Sequence, residues 1–253
     1  MNIEDAVYRI LGWKILGRGK IEGKDVVVVR KGERVEVVYD HIIHSEIFDG
    51  RVFTGQYWDY MMAAPALFKK SRVLVMGLGG GTVPYQMKKV FGGRIDLDVV
   101  EKNQKMIELS RVFLPGKLNM NVINAEAIRY IKGVRSAYDI IISDIYVGGK
   151  IPEELFMDKN AEYFNMALKK NGILIINYAL TVDSLARKSE LVRKLGRFFK
   201  VYQMSYPGAR GNLILVCSKG FTAKEISEKI CRYFERIKEK NRISSAYSGL
   251  REA

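Results

Sequence analysis

The chain has 253 residues, enough for one large domain, or for a main domain with a small appendage, and for a sizeable buried core. No run of about 18 apolar residues occurs, and the first residues carry acids early and lack the apolar core of a signal peptide. We therefore expect a soluble, unexported, cytoplasmic protein with no membrane partner. The two cysteines, Cys217 and Cys231, are not closely spaced, which is typical of a reducing compartment.

The charge of the chain is strongly basic. Lys and Arg outnumber Asp and Glu by 42 to 28, which gives a net charge of +14. Such a charge indicates either a field that attracts polyanions such as RNA or a solvated surface with surplus lysine. The basic residues are scattered rather than gathered in one block with interleaved aromatics, so we favour the solvated surface over a nucleic-acid partner.

The first part of the chain has the pattern of strands and turns. Two valine-rich runs, 26–29 and 35–39, flank a short glycine-containing connection, which predicts a hairpin. The run 42–53 contains an Asp-Gly turn signal and predicts a second hairpin. We therefore predict a small antiparallel β domain over residues 1–55.

An apolar, aromatic segment, 56–68, leads into the next part of the chain. Within it we assign Tyr57 and Asp59 as functional candidates, because a hydroxyl and a carboxylate beside a ligand-binding loop can hold a substrate amine. His41 and His44 precede it without an acid or cysteine cluster at ligand spacing, so we predict no metal site.

The stretch from Ser71 to Glu101 predicts a strand, a glycine turn, a helix and a second strand. Glycines let the backbone approach a bound group, and the following helix presents free N–H groups at its first turn. The second strand ends in Glu101, where a nucleotide-binding α/β unit carries the acid that accepts from ribose hydroxyls. The predicted ligand-binding glycines are Gly77, Gly79, Gly80 and Gly81. We predict one nucleoside site here.

Two further acids follow predicted strands. Glu126 comes after the strand 118–123, where it either accepts from an adenine amino group or is an acid favoured by the helix macrodipole. Asp144 ends the fourth strand of the series, and ligands bind outside the carboxyl ends of such strands. The loop 145–156 that follows contains two glycines and a proline, which is compatible with a lid over the site.

The remaining pattern continues an α/β fold and ends in a helix. The predicted elements are a helix over 160–170, a strand over 173–178, a helix over 185–199, strands over 201–205 and 213–217 around a turn at 207–212, a helix over 224–240 and a loosely held tail over 242–253. We thus predict a Rossmann-like nucleoside-binding domain over 56–220 and a C-terminal helix and tail over 221–253.

Several blocks of the sequence together resemble one family. They occur in the order GLGGGTVP, VVEKN, RVFLP, NAEAIRYI, YDIIISDIYVGGKIPEELF and ILIIN. In this order they resemble the spermidine synthase family, particularly its divergent spermidine synthase-like branch. Ordered blocks are far more specific than a lone glycine loop.

The resemblance implies an α/β fold, with a methyltransferase-type Rossmann domain and a small N-terminal antiparallel β domain, usually in homodimers. It also implies an aminopropyl donor, decarboxylated S-adenosylmethionine, whose methionine-derived part lies on the glycine loop, with a small amine as the second substrate. The site residues that it implies are Glu101 at the ribose, Glu126 at the adenine, Asp144 as the base for the attacking amine, and Tyr57 to orient that amine. We also predict Asp59 and Tyr146 as substrate contacts.

The sequence also departs from the family's pattern. Gly80 stands where the family's GGGDGG loop has Asp, and Val147 stands where its D-S-S-D-P motif has the second Asp. A diamine needs carboxylates at both ends of its site. We therefore expect an acceptor amine other than classical putrescine.

Two other functions remain open from the sequence. An S-adenosylmethionine-dependent methyltransferase would use the same loop and, given the basic charge, an RNA or another anionic substrate. It would need a cationic or N–H partner for the donor's carboxylate between Gly77 and Thr82. The third candidate is a non-catalytic relative that keeps the nucleoside pocket.

Overall fold

The structure, a computed structural model, describes residues 3–116, 118–146, 151–180, 184–206, 212–237 and 240–253. These residues form two sheets, one of four strands and one of eight. The predicted α/β fold with a small N-terminal antiparallel unit is confirmed. Within the described ranges, every helix is too short or too polar to span a bilayer.

The N-terminal unit is an antiparallel meander preceded by a short helix. Its elements are α1 (Ile3–Ile10), β1 (Lys14–Ile21), β2 (Lys24–Lys31), β3 (Arg34–Tyr39) and β4 (Ile42–Phe48). The first predicted hairpin is confirmed, since Val28 pairs with Val37. The second is reduced to a single bridge between Phe48 and Arg51.

The larger unit alternates strands and helices. Its elements are α2 (Trp58–Met61), β5 (Ser71–Met76), α3 (Thr82–Phe91), β6 (Ile95–Glu101), α4 (Gln104–Phe113), β7 (Asn121–Asn124), α5 (Ala127–Lys132), β8 (Tyr138–Ser143), α6 (Asp158–Ala167), β9 (Leu168–Ala179), α7 (Leu185–Leu195), β10 (Lys200–Met204), β11 (Asn212–Ser218), α8 (Ala223–Phe234), α9 (Lys240–Ser248) and β12 (Arg251–Glu252). The strand order is β12-β10-β11-β9-β8-β5-β6-β7, and the strands from β9 to β7 in this order are parallel.

The strand order places a topological switch point between β5 and β8. From β5 the chain proceeds to β6 and β7 on one side, whereas β8 and β9 lie on the other. Helices cover both faces, so alternate residues of one strand enter different cores: Ile140 and Ile142 enter one core, and Ile141 enters the other. Ligands of open α/β sheets bind in the crevice at such a point.

Local sequence sets several helix starts. Asn103 caps α4, because its side-chain oxygen accepts from the backbone N–H of Lys105 at 2.9 Å. Thr222 and Glu225 form a reciprocal capping box at α8.

The structure corrects two C-terminal expectations. The helix predicted to reach residue 170 ends at Ala167, because Leu168 already pairs with Tyr138 of β8. The predicted loose tail is wrong: α9 buries Ile243 and Tyr247 in the core, and β12 pairs with β10. Residues 147–150 of the predicted lid and 207–211 of the predicted turn lie outside the described residues.

The small sheet packs directly on the larger unit. Val28 and Val37 share an apolar cluster with Met106, Leu109 and Phe113 of α4. This packing places β4 across the glycine turn that follows β5.

Candidate active site

A cavity of about 330 Å³ lies in the crevice at the switch point. The glycine turn, the ends of β6 and β8, the start of α5 and turns of the small sheet line it. It brings together most of the predicted site residues, namely Tyr57, Gly77, Gly79, Glu101, Glu126, Asp144 and Tyr146. Asp59, Gly80 and Gly81 are not part of its lining.

Gly77 lets two strand ends meet. Its φ of +90° favours glycine, and a Cβ there would lie 2.5 Å from the main-chain oxygen of Asp144. The backbone N–H of Asp144 in turn donates to the Met76 oxygen at 2.9 Å. The missing side chain of Gly77 therefore leaves room for the main chain of Asp144, which the hydrogen bond to Met76 holds against the turn.

Gly80 and Thr82, in and directly after the glycine turn, hold the small sheet. The Gly80 N–H donates to Ser45 Oγ at 2.6 Å, and a Cβ at Gly80 would lie 2.4 Å from Val37 Cγ2. Thr82 Oγ1 accepts from the Glu46 N–H at 2.9 Å and donates to the Glu46 oxygen at 3.0 Å. The space that a side chain at position 80 would need is thus filled by the N-terminal unit.

Glu101 joins the turn to the end of β6. Its carboxylate accepts from the backbone N–H groups of Leu78 at 3.0 Å and Asn103 at 2.8 Å. Burial raises the pKa of Glu101, and these two N–H donors oppose the rise. Because two carboxylate oxygens offer about four acceptor positions, Glu101 retains capacity for ligand hydroxyls.

Glu126 is both a helix cap and a cavity residue. Its side chain accepts from the backbone N–H groups of Ile128 at 2.9 Å and Arg129 at 2.6 Å, at the start of α5. The helix-start role is therefore present. Its place in the lining leaves the adenine role as a prediction.

Asp144 is half-buried at the cavity wall and is held from two sides. Its Oδ1 accepts from Asn177 Nδ2 at 2.9 Å, and its Oδ2 accepts from the Tyr57 hydroxyl at 3.2 Å. Burial raises the pKa of Asp144 to about 6, against the opposing effect of these two donors. Burial, followed by the charge of Asp144, also raises the pKa of Tyr57, so Tyr57 remains a neutral donor. Asp144 can therefore accept a proton near neutral pH.

The two predicted substrate contacts separate in the structure. Tyr146 lines the cavity, and its hydroxyl donates to the Asn177 main-chain oxygen at 3.1 Å. Asp59 is buried away from the cavity, where it accepts from the backbone N–H groups of Thr54 at 2.9 Å and Gly55 at 2.6 Å and from Gln86 Nε2 at 2.5 Å. These bonds tie a turn to α3, so we assign Asp59 a structural role and exclude it from the substrate contacts proposed below.

The cavity is acidic although the chain is basic. Its carboxylates belong to Glu22, Glu101, Glu126, Asp144 and Glu154. Among the described lining residues, Lys102 is the only Lys or Arg, and its Nζ lies 3.7 Å from Glu22. His44 also lines the cavity, and burial lowers its pKa, which favours the neutral ring. This charge distribution suits a cationic ligand.

A larger depression, of about 620 Å³, lies along α1 and β1. It is open to solvent and lined by Trp13, Lys14 and Arg18 among others, and none of its described lining residues carries a carboxylate. It lacks convergent groups for acid–base chemistry, so the crevice is the better candidate site.

The sequence did not identify three polar residues of this region. Asn177 contacts Asp144, Ser45 holds the glycine turn, and His44 lines the cavity. Asn177 had a detectable signal, because it is a polar residue at the carboxyl end of a buried strand. His44 and Ser45 had none, since only the packing of the two sheets brings β4 to the turn.

The fold and the crevice define a protein of the methyltransferase-type Rossmann class. The model of the spermine/spermidine synthase domain matches residues 55–225, and the chain belongs to that family. A polyamine aminopropyltransferase from Vibrio vulnificus is 28% identical over 197 residues, which are 74% of this chain and 62% of that protein. A probable polyamine aminopropyl transferase from Bifidobacterium longum is 26% identical over 145 residues, 56% of this chain and only 32% of the relative.

Solved structures agree on the fold. A probable spermidine synthase from Corynebacterium glutamicum superposes with a TM-score of 0.72, 17% identity and 88% coverage of both chains. Human methyltransferase-like protein 13, in complex with SAH, superposes with a TM-score of 0.61 and 20% identity, over 73% of this chain and 92% of that one.

Proposed function

We propose that the chain is an aminopropyltransferase-type enzyme that binds decarboxylated S-adenosylmethionine and transfers its aminopropyl group to an amine other than classical putrescine. The observation that carries this proposal is an acid-lined cavity, in a basic chain, with Asp144 held between Tyr57 and Asn177 at its wall. The sulfonium donor is a cation, and the amine acceptor becomes one when it is protonated or alkylated. The acidic lining of the cavity is complementary in charge to both.

In this proposal the donor lies along the carboxyl ends of β5, β6 and β7. Glu101 accepts from the ribose hydroxyls, and Glu126 accepts from the adenine amino group. The lack of a side chain at Gly77 and Gly79, both in the cavity lining, leaves room for the methionine-derived part. Methylthioadenosine, the nucleoside product, would occupy the same contacts.

The proposed reaction needs a neutral amine and a proton acceptor. The amine nitrogen forms a bond to the carbon next to the sulfonium, and the carbon–sulfur bond breaks with its electron pair moving to sulfur. The amine then loses one proton to Asp144, whose raised pKa of about 6 allows it to hold that proton transiently. Tyr57 donates to Asp144 and orients it, and Tyr146 supplies an aromatic wall beside the amine. Positioning accounts for most of the acceleration, because a sulfonium is already a good leaving group.

The nature of position 80 supports an acceptor other than putrescine. Gly80 provides no carboxylate, and Val37 and Ser45 fill the space beside it. The other expected carboxylate position is Val147, which lies outside the described residues. The chain therefore lacks both loop carboxylates that the family's pattern has at positions 80 and 147.

A methyltransferase is the second candidate, favoured by the fold likeness to a protein solved with SAH. It would need a partner for the donor's carboxylate at the glycine turn. The N–H of Leu78 donates to Glu101 and that of Gly80 to Ser45, and acids dominate the lining. These contacts favour a donor without a carboxylate. A non-catalytic nucleoside-binding protein is the third candidate, and the homodimer and the cytoplasmic location stay predictions.

Calorimetric titration with methylthioadenosine, decarboxylated S-adenosylmethionine and S-adenosylmethionine tests the proposal. We expect tighter binding of the two nucleosides without the carboxylate. Glu101→Gln should weaken that binding about tenfold or more, the value of a hydrogen bond to a charged group, whereas Glu108→Gln, on the exposed surface of α4, is the matched control. Preference for S-adenosylmethionine would favour the methyltransferase. Binding of decarboxylated S-adenosylmethionine without transfer to any amine in a panel would favour the non-catalytic protein.

A further inference from the structure

Three residues far apart in the sequence meet at one edge of the larger sheet. Strands β8 and β9 are parallel and Ser143 is opposite Ile176, so Asp144, which follows β8, lies beside Asn177, which is near the carboxyl end of β9. Strand β11 runs antiparallel to β9 and begins with Asn212, opposite Ala179, at the same edge. The sheet topology therefore brings two asparagines beside the carboxylate.

These residues form a continuous hydrogen-bonded chain. Asn177 is only 4% exposed, and its Nδ2 donates to Asp144 Oδ1 at 2.9 Å. Asn212 Nδ2 donates to Asn177 Oδ1 at 3.1 Å. The main-chain oxygen of Asn177 accepts from the Tyr146 hydroxyl at 3.1 Å. Asn177 thus contacts Asp144, Asn212 and Tyr146 at once.

The chemistry of an amide determines which group donates and which accepts in this series of hydrogen bonds. An ionised carboxylate only accepts hydrogen bonds, so Asn177 must turn its NH₂ group toward Asp144. Its Oδ1 then points the other way, into a buried region where it needs a donor. Asn212 supplies that donor, and it thereby opposes rotation of the Asn177 amide away from the carboxylate.

We propose that Asn177 is a positioning residue for Asp144 and that Asn212 fixes the Asn177 amide in the orientation that donates to the carboxylate. The inference rests on the proposed function, in which Asp144 accepts the proton of the attacking amine. With Tyr57 on its other oxygen, the carboxylate is held in one orientation, with its remaining acceptor positions open to the cavity.

The surroundings of Asp144 make the contribution of Asn177 measurable. In the part of the chain that the structure describes, the titratable groups that face Asp144 are Tyr57, Tyr146 and Tyr206. Burial is the main cause of their raised pKa values, and the Asp144 carboxylate adds to it. Among the described residues, no Lys, Arg or His contributes to the pKa of Asp144. Asn177 and Tyr57 are therefore the groups that oppose the effect of burial.

The test is the titration of Asp144 by carboxyl ¹³C NMR of aspartate-labelled protein, with Asp144→Asn to assign the signal. Asn177→Leu, similar in size but without a donor, should raise the pKa of Asp144 by about one pH unit or more, the value of a hydrogen bond to a charged group. Asn212→Ala, a half-buried position, should raise it by less and remains available if the first variant does not fold. The matched control is Asn121→Ala, because Asn121 donates to Asp98 at 3.0 Å at the opposite edge of the sheet. It should leave the Asp144 signal unchanged.

A transfer assay separates the two proposals. In an active enzyme, the acid limb of the kcat/KM profile should move to higher pH in Asn177→Leu by the same amount as the titration. An unchanged Asp144 pKa in both asparagine variants would overturn the inference, whether or not the wild type transfers aminopropyl groups. A wild type without transfer activity whose Asp144 pKa still rises in Asn177→Leu would overturn the proposed function and leave the positioning contacts intact.

Discussion

At the scale of single residues, the burial of ionised Asp144 lowers the stability of the fold but gives its carboxylate a pKa suited to proton transfer. An aspartate has an ordinary pKa of about 3.9, and burial raises the pKa of Asp144 to about 6. Because the folded state then binds its proton more tightly than the unfolded chain, the ionised form destabilises the fold above pH 6, by up to about 3 kcal/mol. A carboxylate retained at such a cost is more easily explained by function than by structure.

We therefore predict that Asp144→Asn stabilises the protein at pH 8 while abolishing transfer. The stabilisation should be up to about 3 kcal/mol at pH 8 and should vanish below about pH 3, where the wild-type carboxyl is protonated in both the folded and the unfolded state. Urea unfolding at the two pH values measures it. Asp139→Asn is the control, because Asp139 pairs with Lys169 at 2.7 Å and its loss should give no stabilisation. Equal stability of Asp144→Asn and wild type at pH 8 would contradict the prediction.

The sequence could place Asp144 and Glu101 at one cavity because each lies at the end of an apolar strand, and the carboxyl ends of parallel strands share one edge of the sheet. Their roles toward a ligand stay predictions. The sequence could not distinguish Asp59 from these two acids. A carboxylate that accepts hydrogen bonds from the backbone of a turn and one that binds substrate belong to the same residue type. Thr54 and Gly55, which bind Asp59, lie only a few residues away. The decisive information was the direction of the side chain, which only the packed structure provides.

At the scale of elements, β4 and the glycine turn act as one unit. Ser45 and Glu46 bond to Gly80 and Thr82, and Val37 fills the space beside the turn. Gly80 is therefore not simply a lost aspartate: its missing side chain is the condition for this contact between the two units.

It follows that Gly80→Asp should not restore a diamine site. The new side chain would lie 2.4 Å from Val37 Cγ2 and 2.7 Å from Ser45 Cβ at its first atom, so we expect a loss of about 1–3 kcal/mol in the free energy of unfolding. Gly133→Asp is the matched control, because a Cβ there would meet only the Tyr130 oxygen, at 3.9 Å. Val37→Ala combined with Gly80→Asp should recover part of the loss. Stable Gly80→Asp protein with new putrescine transfer would show that the packing of β4 does not exclude a side chain here.

At the scale of the whole molecule, the parallel sheet was predictable because its strands are short apolar runs, each followed by a helical segment. The C-terminal helix α9 was not, because its sequence is mostly polar and only a few residues reach the core. Ile243, Ala246 and Tyr247 pack there against elements far earlier in the chain. A local sequence pattern does not reveal packing partners that lie so far away in the sequence.

The contact between the first and the last helix of the larger unit leads to the final prediction. Tyr247 is fully buried, and its hydroxyl donates to the Tyr60 main-chain oxygen at 2.8 Å, in the helix α2 that follows Tyr57. Tyr247→Phe keeps the ring but removes this donor, so that the Tyr60 oxygen keeps only local backbone donors such as the Ala63 N–H at 3.4 Å. We therefore expect a loss of about 0.5–1.5 kcal/mol in the free energy of unfolding, the net value of one hydrogen bond. Ser248→Ala, an exposed position on the same helix, should change it by less than about 0.5 kcal/mol.

Urea unfolding of the two variants measures these losses, and calorimetry with methylthioadenosine shows whether they reach the site. Because Glu101 and Glu126 belong to other elements, we expect nucleoside affinity to be unchanged in Tyr247→Phe. Unchanged stability would mean that the hydroxyl of Tyr247 contributes nothing to the anchoring of α9. Weakened nucleoside binding would instead mean that α9 supports the cavity through α2, and that the C-terminal helix belongs to the functional unit rather than only to the core.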